Sequence, residues 1–290
     1  MNSPESILNK YWGFTSFRSA QKKVIQQALS GSDVLALLPT GAGKSICFQI
    51  PALCKEGICI VISPLIALMN DQVLQLKTKG IKAEFISTGM SPKQIDYVLD
   101  NCIYGKTKFL YLSPERLNSI FVKERLKLMN INFIAVDEAH CISQWGHDFR
   151  PAYRSVMQIR DWAPKASVIA VTATATQKVA NDIQLQLNFS KKNVIKTSFE
   201  RKNIFFESHH TENKIPSLIH YVKDLTGSGI IYIRSRKISE ELSRQLKLKN
   251  ISSEYYHAGL SIEERKNIEN RWKENSTQII VATNAFGMGI

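Results

Sequence analysis

The sequence predicts an α/β fold, a parallel sheet flanked by helices, followed by a second and smaller α/β unit. Three observations predict it. Short runs rich in Val, Ile and Leu alternate with amphipathic stretches along the whole chain. Most of these runs are apolar at every position, as strands covered on both faces are. The chain has 290 residues, 44 % hydrophobic and 22 % charged, which suits about two globular domains.

In chain order, the apolar runs place strands at 34–38, 58–62, 83–86, 109–112, 133–136, 168–171 and 194–195. Between them, apolar residues recur at helical spacing over 44–55, 65–79, 92–104, 121–129 and 177–187. Such alternation makes a parallel sheet wrapped in helices, with any ligand expected at the carboxyl ends of the strands. The segment 191–203 (KKNVIKTSFERKN) is polar, lacks helical periodicity, and reads as a connector. Beyond it the alternation restarts, with strands expected at 204–208, 229–233, 253–256 and 278–282 and helices at 215–223, 237–249 and 262–273. The division is therefore a domain of residues 1–196, a linker of 197–203 and a partial second domain of 204–290.

Composition narrows the function classes. No stretch approaches the ~18 apolar residues of a membrane span, and the polar start is unlike a secretory signal. No membrane is expected as partner, and the expected location is the cytosol. The five cysteines (47, 54, 59, 102, 141) are odd in number and contain no C-x-x-C pair. They read as reduced, buried thiols, with no zinc held by this chain. Lys and Arg exceed Asp and Glu by 38 to 25, a net charge of +13. The excess is spread over both halves, as a polyanion such as nucleic acid would favour. A merely basic soluble protein fits the charge as well.

Three groups of residues carry chemistry. Thr40, Gly41, Ala42, Gly43, Lys44 and Ser45 follow the strand VLALLP and open a helix. A triphosphate needs such a glycine-rich turn, whose N–H groups face inward at a helix start. Lys44 can reach the β- and γ-phosphates, and the Ser45 hydroxyl can ligate Mg²⁺. Leu38 stands where the general phosphate-loop pattern has glycine. The second group is Asp137, Glu138, Ala139 and His140 after the strand FIAV. Two acids at a strand end are often only solvated. Beside a phosphate loop, Asp137 can hold Mg²⁺ and Glu138 can orient and deprotonate the attacking water. The third group is the loop that follows, where Trp145, His147, Phe149, Arg150 and Tyr153 crowd together. Aromatic faces beside a cation form a stacking platform for unpaired bases. Composition alone balances that reading against local core packing.

The run 136–152 (VDEAHCISQWGHDFRPA) resembles motif II and the aromatic-rich loop of the RecQ family of DNA helicases. Residues 13–21 (GFTSFRSAQ) resemble the family's motif 0, which places adenine stacking on Phe14 and adenine reading on Arg18 and Gln21. Phe14 stands where Tyr is common. Residues 63–72 (SPLIALMNDQ) resemble motif Ia, 111–116 (YLSPER) a strand end lining the nucleic-acid channel, and 172–175 (TATA) motif III. In the second domain, 229–236 (GIIYIRSR) resembles motif IV with Ile233 where Cys is frequent, followed by 255–259 (YYHAG) and by 281–290 (VATNAFGMGI), which resembles motif V. In the connector, Lys202 stands at the family's usual proline.

The resemblance implies two RecA-like lobes, the second incomplete, that close on ATP and Mg²⁺ and move 3′→5′ along single-stranded DNA, separating duplex ahead, in recombination and repair. It assigns phosphate and metal contacts to Lys44 and Ser45, the metal to Asp137 and the water to Glu138. It assigns nucleotide-state coupling to His140, Thr172 and Thr174, and DNA sensing to Trp145, His147, Phe149 and Arg150. The sequence holds no Q-x-x-G-R-x-G-R segment, the family's arginine-finger motif after motif V. The family's zinc and winged-helix domains would lie further on. A fragment of a motor is expected, or alternatively a module that binds ATP and single-stranded DNA without motor activity. An RNA-remodelling helicase shares the phosphate loop and acids but not the QWGHDFRP loop, and a small-molecule kinase explains that loop still less.

Overall fold

The computed structural model describes residues 3–87, 89–146, 148–198, 200 and 203–287. The chain divides into two compact units, Met1–Arg201 and Lys202–Ile290.

The first unit opens on two helices that sequence periodicity left unassigned, α1 (Pro4–Trp12) and α2 (Ser19–Leu29). Ser3 caps α1 by accepting the Ser6 N–H, Pro4 occupies the first turn, and Gly13 ends the helix at φ +74°. Then follow β1 (Val34–Leu37), α3 (Ile46–Cys54), β2 (Ile58–Ile62), α4 (Ile66–Thr78), β3 (Ala83–Ile86), α5 (Pro92–Ile103), β4 (Phe109–Leu112), α6 (Ile120–Leu126) and β5 (Ile131–Val136). The unit closes with α7 (Gln158–Trp162), β6 (Ser167–Thr172), α8 (Gln177–Gln186) and β7 (Val194–Lys196). Short 3-10 turns occupy Pro114–Asn118, Ala139–Ile142 and Pro151–Met157.

The seven strands form one sheet in the order β3-β4-β2-β5-β6-β1-β7, every described pair parallel. Alternate residues feed two cores, one on each face. Leu35, Leu37, Ile60, Ile134 and Val168 face one, while Val34, Ala36, Val61, Ala135 and Ile169 face the other. Both faces are dry, which explains why these strands read as unbroken apolar runs.

Asp33 locks three segments at the base of β1. Its buried carboxylate takes two guanidinium hydrogen bonds from Arg160 at 2.7 and 2.8 Å. It also accepts the N–H of Val168 at 2.9 Å and of Ser190 at 3.4 Å.

The second unit contains α9 (Lys214–Lys223), β8 (Gly229–Tyr232), α10 (Arg236–Leu248), β9 (Ser253–Tyr256), α11 (Ile262–Lys273) and β10 (Ile279–Ala282). Its sheet is parallel in the order β8-β10-β9. Phe286 is buried edge-on against Tyr256 and Trp272, with ring centroids 4.9 and 5.6 Å away.

The strand expected at 204–208 does not form. Phe205 and Phe206 are 87 % and 91 % exposed, and this stretch pairs with no strand among the described residues. An apolar run becomes a strand only through a ladder partner. The remaining expected strands and helices form with ends shifted by at most three residues. No helix among the described residues is long and apolar enough to cross a membrane.

Replacing Asp33 by Ala would leave Nη2 of Arg160 and two N–H groups without their acceptor. Urea unfolding should show a loss of about 2–4 kcal/mol. Arg271→Ala, which removes the half-exposed pair with Glu254, should cost under ~1 kcal/mol.

Candidate active site

Four strand ends and the loops after them build the site. Beyond β1 the chain stays in the core for one more residue. Leu38 is buried and donates its N–H to the Thr172 carbonyl at 3.1 Å, so this position packs beneath the loop instead of turning within it. The turn follows, with Gly41 at φ +78° and Gly43 at φ +74°. Its carbonyls are gripped from α2 and the residue before it. The Arg18 guanidinium donates to Gly41 O at 2.9 Å, and Gln21 Nε2 donates to Ala42 O at 2.9 Å and Gly43 O at 3.4 Å. Gln21 Oε1 in turn accepts the Arg18 N–H at 3.0 Å. With the carbonyls so held, the N–H groups of Gly43, Lys44 and Ser45 have no acceptor among the described residues. They precede the first turn of α3, where a helix favours an anion. Lys44 and Ser45 are half-buried, Thr40 is exposed, and Phe14 is 56 % exposed between α1 and α2.

β5 delivers Asp137 to the same sheet edge. The Asp137 N–H continues the ladder to Ile62 O at 2.8 Å, which carries its side chain in buried. One carboxylate oxygen accepts the Glu138 N–H at 3.0 Å, and the other faces Gln72 Nε2 at 3.5 Å. Burial, helped by the Glu138 charge, pushes the acid up to about 6, against the pull of the Lys44 ammonium. Glu138 then turns left-handed at φ +46°, ψ +48°, a conformation that costs a non-glycine residue about 1–3 kcal/mol. The chain swings into the 3-10 turn Ala139–Ile142. There His140 Nδ1 lies 2.8 Å from Thr172 Oγ1 and 3.3 Å from Glu138 Oε2. Thr172 Oγ1 also accepts the Thr174 N–H at 3.3 Å. Glu138, His140, Thr172 and Thr174 thus form one connected path.

The aromatic loop leaves directly from this turn. Trp145 is 62 % exposed with the Lys178 ammonium over its ring, so it is not a core residue. Phe149 is half-buried under the Arg154 guanidinium, 5.4 Å from the ring centre. Arg150 donates to Pro64 O at 2.9 Å, joining this loop to the segment before α4. Tyr153 departs from the expected platform. It is wholly buried, and its hydroxyl donates to Asp137 O at 3.0 Å. His147 lies outside the described residues, as do Thr88, Phe199, Arg201, Lys202 and the motif V residues Met288, Gly289 and Ile290.

Cys141 is pushed up to about 12 by burial and the Asp148 charge, and donates as a thiol to Asp148 at 3.8 Å. A ring nitrogen of His140 joins these two groups within 4.8 Å, a cluster in which His140 is already engaged by Thr172. Sequence reasoning passed over Gln49 and gave Gln72 and Tyr111, although they lie within segments of the family resemblance, no role of their own; all three are buried and hydrogen-bonded beneath Asp137. Gln49 offered a signal, as a lone polar residue in the apolar helix ICFQIPALC.

The sequence family described as DEAD/DEAH box helicase matches residues 18–183, which span the phosphate loop, both acids and the aromatic loop. The chain belongs to this helicase family. A second family, described as helicase conserved C-terminal domain, matches residues 213–290. The ATP-dependent DNA helicase RecQ of Haemophilus influenzae is 42 % identical over 98 % of this helicase-family chain and 46 % of its own length. That of Bacillus subtilis is 41 % identical over 100 % of the chain and 50 % of its own length. The chain spans about half the length of these relatives. Among solved structures, a DUF1998 helicase, MrfA, bound to DNA has a TM-score of 0.79 at 17 % identity. It covers all of this chain and 45 % of its own, a likeness of fold.

The loop's dependence on Gln21 is open to test. A Cβ at Gly43 would lie 2.5 Å from Gln21 Nε2, whereas one at Gly41 would meet nothing within 4 Å. Both positions carry left-handed strain of ~1–2 kcal/mol for alanine. Gly43→Ala should therefore lower unfolding stability more than Gly41→Ala, by about 1 kcal/mol for the displaced amide. Equal losses in urea melts would contradict this coupling.

Proposed function

We propose that the chain is the ATP-driven portion of a RecQ-type DNA helicase, coupling ATP hydrolysis to 3′→5′ movement on single-stranded DNA. The observation that carries this reading is the continuity between the two sites. The path from Glu138 through His140 to Thr172 and Thr174 shares its 3-10 turn with the loop that presents Trp145. A change at the γ-phosphate and a change at a DNA base therefore act on one short segment. The direction of movement and the role in recombination and repair come with the RecQ likeness, and the relatives named above are called ATP-dependent DNA helicases.

In this reading the N–H groups of Gly43, Lys44 and Ser45 and the Lys44 ammonium hold the β- and γ-phosphates. The oxygen donors suit Mg²⁺, since a hydroxyl from Ser45 and a buried carboxylate from Asp137, with a second acid next to it, are hard ligands. When bound, the metal offsets charge on the phosphate oxygens. Glu138, aimed by its left-handed backbone, orients the attacking water and takes its proton as the oxygen bonds to the γ-phosphorus, while the bond from that phosphorus to the bridging oxygen breaks and ADP leaves with its electron pair. His140 reports that event to Thr172. Phe14 supplies an exposed face for adenine. Arg18 and Gln21 act through the phosphate loop, whose carbonyls they hold, in addition to any contact with the base. Trp145 and Phe149 stack on unpaired bases, with Arg150 linking that platform to the motif Ia segment.

Lys44→Ala should weaken binding of a fluorescent ATP analogue at least tenfold, and Glu138→Gln should leave that affinity within about threefold. Trp145→Ala should weaken single-stranded DNA binding about tenfold, the worth of one stacked base. Nucleotide binding unchanged in Lys44→Ala would remove the phosphate-loop assignment. DNA binding unchanged in Trp145→Ala would remove the platform, and tighter binding of RNA than DNA would favour an RNA-remodelling relative.

A further inference from the structure

Four buried polar side chains run in one line beneath the site. Gln49 on α3 donates through Nε2 to the Tyr111 hydroxyl at 3.3 Å. That hydroxyl, on β4, donates to Gln72 Oε1 at 2.9 Å, and Gln72 Nε2, on α4, faces Asp137 Oδ2 at 3.5 Å. None of the four is more than 9 % exposed. Chemistry fixes the order. An ionised carboxylate only accepts, so Gln72 must turn its nitrogen to Asp137 and its oxygen to Tyr111. The hydroxyl must then donate to Gln72 and accept from Gln49. Every donor in the line points toward the acid, and bonds aligned in this way polarise one another.

The line crosses an otherwise apolar core that includes Phe48, Val61, Met69 and Phe133. Packing alone would be served at least as well by Leu, Met and Phe, without the desolvation of two amides and a hydroxyl. Its two ends show what it does connect. One end is Asp137, whose other oxygen is held by the Glu138 N–H. The other is the first turns of α3, the helix that Ser45 precedes. With both oxygens engaged, the carboxylate has one orientation, and that orientation is referred to α3.

The geometry points to Gln72, Tyr111 and Gln49 as positioning residues that key the Asp137 carboxylate to the helix that Ser45 caps, so that the two Mg²⁺ oxygens stay in register. This rests on the reading of Ser45 and Asp137 as the residues that hold the metal. The 3.5 Å approach of Gln72 orients Asp137 without claiming all of its accepting capacity, which leaves Oδ2 able to serve a cation as well. None of the three positioning residues touches nucleotide or metal in this arrangement.

The test is binding, read with and without the metal. A fluorescent ATP analogue is titrated into the 290-residue protein in EDTA, then at increasing MgCl₂, for wild type, Tyr111→Phe and Gln72→Met. Both substitutions keep the volume of the buried side chain, and urea melts establish that each variant is folded. The Mg²⁺ concentration that half-maximally tightens nucleotide binding should rise about fivefold in each variant, the worth of one net hydrogen bond. Affinity in EDTA should stay within twofold of wild type. Unchanged Mg²⁺ dependence in the two folded variants overturns the inference, as does an equal loss with and without metal, which would mark a role in packing only. Wild type that binds nucleotide no better with Mg²⁺ than in EDTA would instead overturn the metal assignment itself.

Discussion

Everything at this site is arranged around a carboxylate held away from water. Asp137 is carried into the sheet edge by the last rung of β5, where its ionised form is disfavoured by desolvation and by the neighbouring acid. A group in that position must be compensated by nearby positive charge or donors. The surroundings answer with the Lys44 ammonium, the Glu138 N–H and Gln72, while Tyr153 fixes the backbone carbonyl of the same residue. Remaining strain is stored next door, in the left-handed turn of Glu138. The buried acid is adjacent to Glu138, which among the described residues is the one positive-φ residue that is neither glycine nor asparagine, as is common where geometry is over-determined by its supports.

The phosphate loop is a second instance of support from outside. Its glycines permit the turn, but permission is not specification. The carbonyls are oriented by Arg18 and Gln21, at and just inside the start of α2, and the N–H groups are left facing the other way as a consequence. A motif written in six consecutive residues depends on two others more than twenty positions earlier.

The sheet was legible because its strands are covered on both faces, so each strand from β1 to β6 appears as a block of apolar letters in which only Glu84 is charged. The phosphate loop and the two acids were legible because their chemistry needs adjacent residues. What could not be read has a common cause in pairing across distance. Residues 204–208 look like a strand, but no ladder partner among the described residues takes them up. Tyr153 looked like part of an aromatic platform with Trp145, and only the fold shows one buried and the other at the surface. Gln72 and Tyr111 belong to different elements, and the motif segments that hold them do not say that they meet. Their significance lies in a meeting concealed by a separation of 39 positions in the chain. Leu38 is the instructive departure. It breaks the general phosphate-loop pattern because this strand runs one residue deeper into the core before turning.

The strand order has a temporal meaning. β1, which launches the phosphate loop, lies between β6 and β7, the last two strands of its sheet to be made. The carboxylate of Asp33 at its base accepts the N–H of Val168, 135 residues away. On the ribosome, therefore, the segment that begins the nucleotide pocket emerges early and must wait, its apolar strand without neighbours, until residues up to 196 have cleared the exit. The proposed nucleotide site is therefore incomplete until those strands exist, and the exposed VLALL segment is where a chaperone would have the longest opportunity to bind.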